Sequence, residues 1–237
     1  MPVYAKNRQI VVPGELIAET NRYEVEGKIY RKNKKIYSKV LGVVFIDEEK
    51  RNIRVLPLKG KYIPNEGDIV IGKVIEVGLT NWTVDINSPY LAVLQVTEVF
   101  SKPTQISRTE LSKILDVGDI IIAKVISFDY TRDPLLTIKE SRLGKVSRGI
   151  IVEIPPSKVP RIIGKKGSMV NMLKNMLDVE IVIGKNGRVV VIGKDPAKEE
   201  IAVLAIKKIE REAHTSGLTD RVKAFIEEKL KELGEKS

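Results

Sequence analysis

Gly164-Lys165-Lys166-Gly167 stands between an apolar pair, Ile162-Ile163, and a stretch from Ser168 that carries apolar residues at helical spacing. Two glycines separated by two lysines let the backbone turn with no Cβ in the way of an approaching phosphodiester. The lysines supply the counter-charge, and Arg161 stands just before them. The chemistry this pattern could do is anion binding at the start of a helix. A tight helix–helix turn carrying two solvated lysines would use the same residue types, so the surrounding elements must decide. The spacing does not satisfy G-x-x-x-x-G-K-[ST], and a nucleoside triphosphate is not expected.

Elsewhere Lys73, Lys124, Arg132 and Arg142 are candidates for tracking phosphates, each equally compatible with a solvated charge. Trp82 and Tyr90, with Phe128 and Tyr130, are the rings that could stack bases, each worth ~1–3 kcal/mol per base if exposed. Trp82 and Phe128 could equally pack inside a barrel. Other chemistry is hard to assemble. Without cysteine there is no disulfide, thiolate zinc site or cysteine nucleophile. The sole histidine, His214, lies near a helix end beside Thr215-Ser216-Gly217. Asp129 and Asp133 flank Tyr130-Thr131-Arg132, where a turn is expected before a magnesium site. No catalytic residue, metal or cofactor is therefore expected, and the chain reads as a binding protein rather than an enzyme.

Composition agrees with a polyanionic partner. Of 237 residues, 41 are basic and 31 acidic, giving a formal charge of +10, and 43% are apolar, enough for real cores. The N-terminus lacks the apolar run of a signal peptide and no stretch reads as a membrane span, so a soluble, cytoplasmic protein is expected.

Three segments must position these residues. In residues 1–60, β-branched runs alternate with turn residues, which predicts a small all-β domain; Lys32 to Lys35 and Asp47 to Asn52 fall where hairpin loops should be. In residues 61–145, Gly67-Asp68-Ile69-Val70-Ile71-Gly72-Lys73-Val74-Ile75 is echoed by Gly118-Asp119-Ile120-Ile121-Ile122-Ala123-Lys124-Val125-Ile126. On a period of two, Val70, Gly72 and Val74 share a face, as do Ile121, Ala123 and Val125. The small central residue suits the interior of a closed five-stranded barrel of the OB type, with a short helix before its fourth strand. Residues 146–237 change period. The pattern predicts strand, short helix, the glycine loop, helix, two strands joined at Asn186-Gly187, a helix capped by Asp195-Pro196, and a final amphipathic helix.

This order, with its I-G-x-x-G turn, resembles the type of KH domain common in eukaryotic and archaeal proteins, which holds about four single-stranded nucleotides against the loop. The whole chain resembles the archaeal exosome RNA-binding cap subunits that combine an S1-type barrel with a KH domain. Val11-Val12-Pro13-Gly14-Glu15, Tyr62-Ile63-Pro64 leading into Gly67-Asp68-Ile69-Val70-Ile71-Gly72, Trp82 to Tyr90, Val159 to Gly167 and Gly184-Lys185-Asn186-Gly187 carry the likeness. It implies a non-catalytic subunit, three copies of which sit on a hexameric ring of RNase PH-like proteins. These copies would pass single-stranded RNA to the ring for 3'-to-5' degradation or tailing. It also implies that the N-terminal domain meets the ring and that the Gly184 to Gly187 turn is architectural. The alternative is an RNA-binding or RNA-chaperone protein working with the translation machinery outside any ring.

Overall fold

The computed structural model describes residues 2–58, 60–100, 108–215 and 217–234. They form two compact units, Met1–Gly60 and Lys61–Ser237.

In the first unit the strands are β1 (Ile10–Val11), β2 (Leu16–Glu19), β3 (Glu24–Gly27), β4 (Ile29–Lys32), β5 (Lys35–Ser38), β6 (Gly42–Asp47) and β7 (Asn52–Pro57). They make two sheets, β1-β6-β7-β3 and β2-β5-β4, with β3 running parallel to β7. Strand alternation sends Val11, Val44, Ile53 and Val55 inward to meet Ile17, Ile29 and Ile36 in one core. The two polar runs do form hairpin turns, and Asn33 (φ 56°) and Arg51 (φ 49°) supply their left-handed residues.

The second unit opens with the barrel: β8 (Ile69–Val77), β9 (Asn81–Asp85), β10 (Ala92–Gln95), α1 (Arg108–Ile114), β11 (Ile120–Ser127) and β12 (Leu135–Thr137). The ladder runs β12-β10-β9-β8-β11 and closes through a β11–β12 pairing, giving the expected five-stranded barrel with its helix before the fourth strand. The echoed segments are antiparallel neighbours, with Gly72 opposite Ile121 and Ala123 opposite Val70. Gly72 faces inward, and a Cβ there would lie 2.3 Å from Val84 Cγ1, so the barrel admits only a hydrogen at this position. A further short strand, β13 (Gly144–Val146), adds to the outer side of β11.

The remaining elements are β14 (Ile150–Glu153), α2 (Val159–Ile163), α3 (Ser168–Leu177), β15 (Val179–Ile183), β16 (Arg188–Gly193), α4 (Pro196–Glu212) and α5 (Leu218–Gly234). The sheet order β14-β16-β15 is antiparallel throughout. The helices cover one face, burying Ile162, Leu173, Ala205, Ile206, Val222 and Ile226 against Val189 and Val191. At the start of α4, Asp195 Oδ1 accepts the Ala197 N–H at 3.0 Å with Pro196 in the first turn, as the sequence predicts. The other sheet face is covered in part by the barrel. Val190, with Val182 and Ile192, packs on Ile71 and Ile122 of β8 and β11, so barrel and KH-like module share a small apolar core.

Candidate nucleic-acid interface

The glycine loop is fixed from both sides. α2 drives Val159 and Ile162 into the core, and α3 does the same with Met169, Leu173 and Leu177. The chain must therefore reverse within 164–167. Gly164 adopts φ 75° and ψ 177°, where a Cβ would stand 2.7 Å from the Met169 nitrogen and 2.8 Å from its Cβ. Lys166 (φ 54°) and Gly167 (φ 82°) are left-handed. No side chain caps α3, and although its Ser168 N–H is taken by Lys165 O, the positive end of the helix dipole faces the loop. Arg161, Lys165 and Lys166 are exposed, and none is ion-paired among the described residues. This geometry can hold a phosphodiester, by backbone donors and by charge.

The barrel contributes rings. Tyr90, Phe128 and Tyr130 form one group, with centroid separations of 4.9 Å for Tyr90–Phe128 and 4.8 Å for Phe128–Tyr130. Tyr130 is 61% exposed and left-handed at φ 67°, and its loop also carries exposed Arg132. Asp129 staples this loop: its Oδ1 accepts from the Thr131 hydroxyl at 2.8 Å, the Thr131 N–H at 3.0 Å and the Arg132 N–H at 3.1 Å. The Thr131 hydroxyl, ahead of the backbone donors, holds the Asp129 carboxyl below the usual carboxylate range. The carboxylate thus serves a turn. Among the described residues no group of three His, Asp or Glu side chains could hold a metal ion.

Two expectations are corrected. Trp82 cannot stack a base, because it is fully buried in the barrel and its indole N–H donates to Leu115 O at 2.8 Å. The alternation of Asn81-Trp82-Thr83-Val84-Asp85 already places Trp82 on the face of Val84, which is the core face. The face carrying Lys73 and Lys124 among isoleucines is not an open phosphate track. Its Ile71 and Ile122 meet the KH-like sheet, and Lys124 is paired to Glu140 at 2.6 Å. Lys73 remains exposed beside Asp85, and Arg142 is exposed in a left-handed turn at φ 72°. His214 is exposed at the end of α4.

Residue-level reading of the sequence gave no functional weight to Asn186 and Arg188, which join the two modules. Asn186 is fully buried; its amide accepts from the Ile71 N–H at 3.2 Å and donates to Ile71 O at 2.7 Å and Ile86 O at 2.9 Å. Its side chain thus imitates a peptide group beside β8, where β9 has ended. Arg188 reaches Asp85 Oδ2 at 2.6 Å, Asp85 O at 2.6 Å and Glu153 Oε1 at 2.8 Å. Burial alone would raise Asp85, but hydrogen bonds from the Arg188 guanidinium and the Asn87 N–H outweigh it and hold the carboxyl below its usual range. The turn 184–187 is therefore architectural, as the family likeness implies.

An OB-type barrel carrying an aromatic group, joined to a KH module with an open, lysine-bearing glycine loop, places the chain among the S1–KH proteins. Three family descriptions match in succession: the exosome RNA binding protein RRP4 N-terminal domain over residues 8–59, the RRP4 S1 domain over 61–127 and the KH domain over 149–196. The exosome complex component Rrp4 of Thermofilum pendens is 62% identical, over 97% of both chains. That of Pyrococcus horikoshii is 44% identical over 99% of this chain and 88% of its own. A crystallised protein assigned as an exosome complex RNA-binding protein is 48% identical and superposes with a TM-score of 0.69 over 73% of this chain and 98% of its own. The chain belongs to the archaeal Rrp4 family.

Proposed function

We propose that this chain is the non-catalytic RNA-binding cap subunit of an exosome, capturing single-stranded RNA and passing it to an RNase PH-like ring on which three copies sit. The observation that carries the reading is the glycine loop, fixed by two helices with Lys165 and Lys166 uncompensated, on the same compact unit as the ring-bearing barrel. The names of the relatives support the assembly. The absence of cysteine and the single histidine favour a subunit that binds and leaves cleavage to others.

The first unit supports docking. β1, β6 and β7 bring Ile10, Val43 and Leu56 side by side, since Ile10 pairs with Val43 and Val43 with Leu56, and Val12, Leu41 and Leu58 sit next to the ends of the same strands. Ile10 is 59% and Val12 52% exposed, and Leu41, Leu56 and Leu58 are exposed as well. A two-by-three aliphatic face on a soluble sheet suits contact with another protein. The unit would thus hold the ring while the second unit holds RNA.

Co-purification tests the assembly. Recovery with RNase PH-like subunits, abolished by Ile10→Glu with Leu56→Glu while RNA affinity stays within a few fold, is the expected result. Recovery with ribosomes instead would favour the translation-associated reading. Processive shortening of labelled RNA by the isolated chain, with magnesium or phosphate, would overturn the non-catalytic assignment.

A further inference from the structure

Between the barrel and the KH module lies a cleft of about 640 Å³, walled by the 140–148 segment on one side and by β15 and the end of α3 on the other. Its cations are Arg142, Lys145, Arg148 and Lys174. Lys145 is paired to Asp119 at 2.5 Å, whereas Arg142, Arg148 and Lys174 have no ion pair among the described residues. Of its two acids, Glu140 is paired to Lys124, and Glu180 alone opposes the three free cations. The walls between these charges are aliphatic, from Ile69, Leu143 and Ile192 among others. Such a lining suits a ligand that is anionic along one edge and apolar along another.

Position narrows the ligand. Ile122 of β11 is on the cleft wall, and Phe128, the residue just after that strand, is six residues on, up to ~20 Å at strand rise. Lys174 lies seven residues beyond Gly167 along α3, ~10 Å at helical rise. The cleft therefore lies within a few nucleotides' reach of both elements that can hold a single strand.

We infer that this junction cleft is a third RNA subsite, taking nucleotides of a strand that runs from the barrel rings to the KH loop. Arg142, Arg148 and Lys174 hold its phosphates, and the aliphatic wall receives a base edge or ribose. Without aromatic stacking or fixed polar readers in the wall, this subsite does not discriminate bases. The inference rests on the RNA-binding reading above.

The test uses the full chain and two unstructured RNAs, one long enough to span rings, cleft and loop, and one filling a single site. Arg148→Gln with Lys174→Gln should weaken the long RNA about tenfold and reduce its salt slope by ~1.4, two contacts at ~0.7 each for single strands. The short RNA should bind as to the unsubstituted chain. Thermal unfolding checks that the variant is folded. Independently, photo-crosslinking the long RNA to the unsubstituted chain should label the 142–148 segment. Unchanged affinity and slope for the long RNA, with no crosslink at 142–148, would overturn the subsite while leaving RNA binding intact. Failure of the unsubstituted chain to bind either RNA would remove both readings. A variant that keeps RNA but loses the ring subunits would make the cleft a protein contact and also overturn the inference.

Discussion

Replacing Asn186 by Ala should loosen the barrel from the KH module without touching any candidate RNA contact. The amide makes three hydrogen bonds to β8 and the residue after β9, all buried. Alanine leaves the Ile71 N–H and the Ile86 carbonyl without their partner, and Ile71 O with only a 3.5 Å contact from Arg188 Nη1. Each buried polar group so orphaned costs ~1–3 kcal/mol, and partial access of water to the gap puts the sum near ~3 kcal/mol. Two probes separate the modules. The chain has one tryptophan, Trp82, at the centre of the barrel, whereas α2 to α5 lie in the KH module and dominate far-UV circular dichroism. In urea, with a slope of ~2 kcal/mol per molar, the tryptophan midpoint should fall by ~1.5 M. The two probes, coincident in the unsubstituted chain, should also separate. A midpoint shift under ~0.3 M with coincident curves would refute the claim that this amide holds the junction.

Other outcomes follow from single side chains. Lys165→Asp with Lys166→Asp should weaken single-stranded RNA binding in an anisotropy titration and lower the salt slope by ~1.4, with the thermal midpoint little changed because turn lysines carry little stability. Tyr130→Ala should cost ~1–3 kcal/mol of RNA affinity, whereas Trp82→Phe should lower stability and leave affinity at its original value. Asp85 is held below its unfolded value of ~3.9, so the unfolded chain takes up its proton more readily. Its contribution to stability is then fully present above that value and is lost as pH falls through the folded one. Asp85→Asn should flatten this acid limb in urea unfolding followed by Trp82 fluorescence.

The barrel and the KH order were legible because local chemistry specifies them. Gly72 and Ala123 in echoed strands announce a tight interior, and Asp195-Pro196 announces a helix start. The glycine loop was legible for the same reason, since left-handed backbone beside a helix start is a local demand. The junction was not. That Asn186 completes the edge of β8 depends on a strand that ends 101 residues earlier, at Asp85, and a hairpin at Asn-Gly looks the same whether its amide meets water or another module. Charges behaved likewise. Composition counts the lysines, but only the fold tells that Lys124 is spent on Glu140 while Lys165, Lys166 and Arg148 are not.

That division has a consequence for binding. The 184–187 turn grips the barrel, so it cannot close over a ligand, and the KH module is left with its glycine loop and the Lys174 side of the junction cleft. A single loop with two lysines is a weak site, as is a group of three rings. Held on one compact unit, the two act on a strand at high effective concentration, and avidity then exceeds either affinity without any new contact. Asn186→Ala, which leaves both sites chemically intact, should therefore lower affinity for an RNA that spans them and spare one that fills either. Equal loss for both lengths would mean that the sites act singly and that the junction serves only to place the barrel.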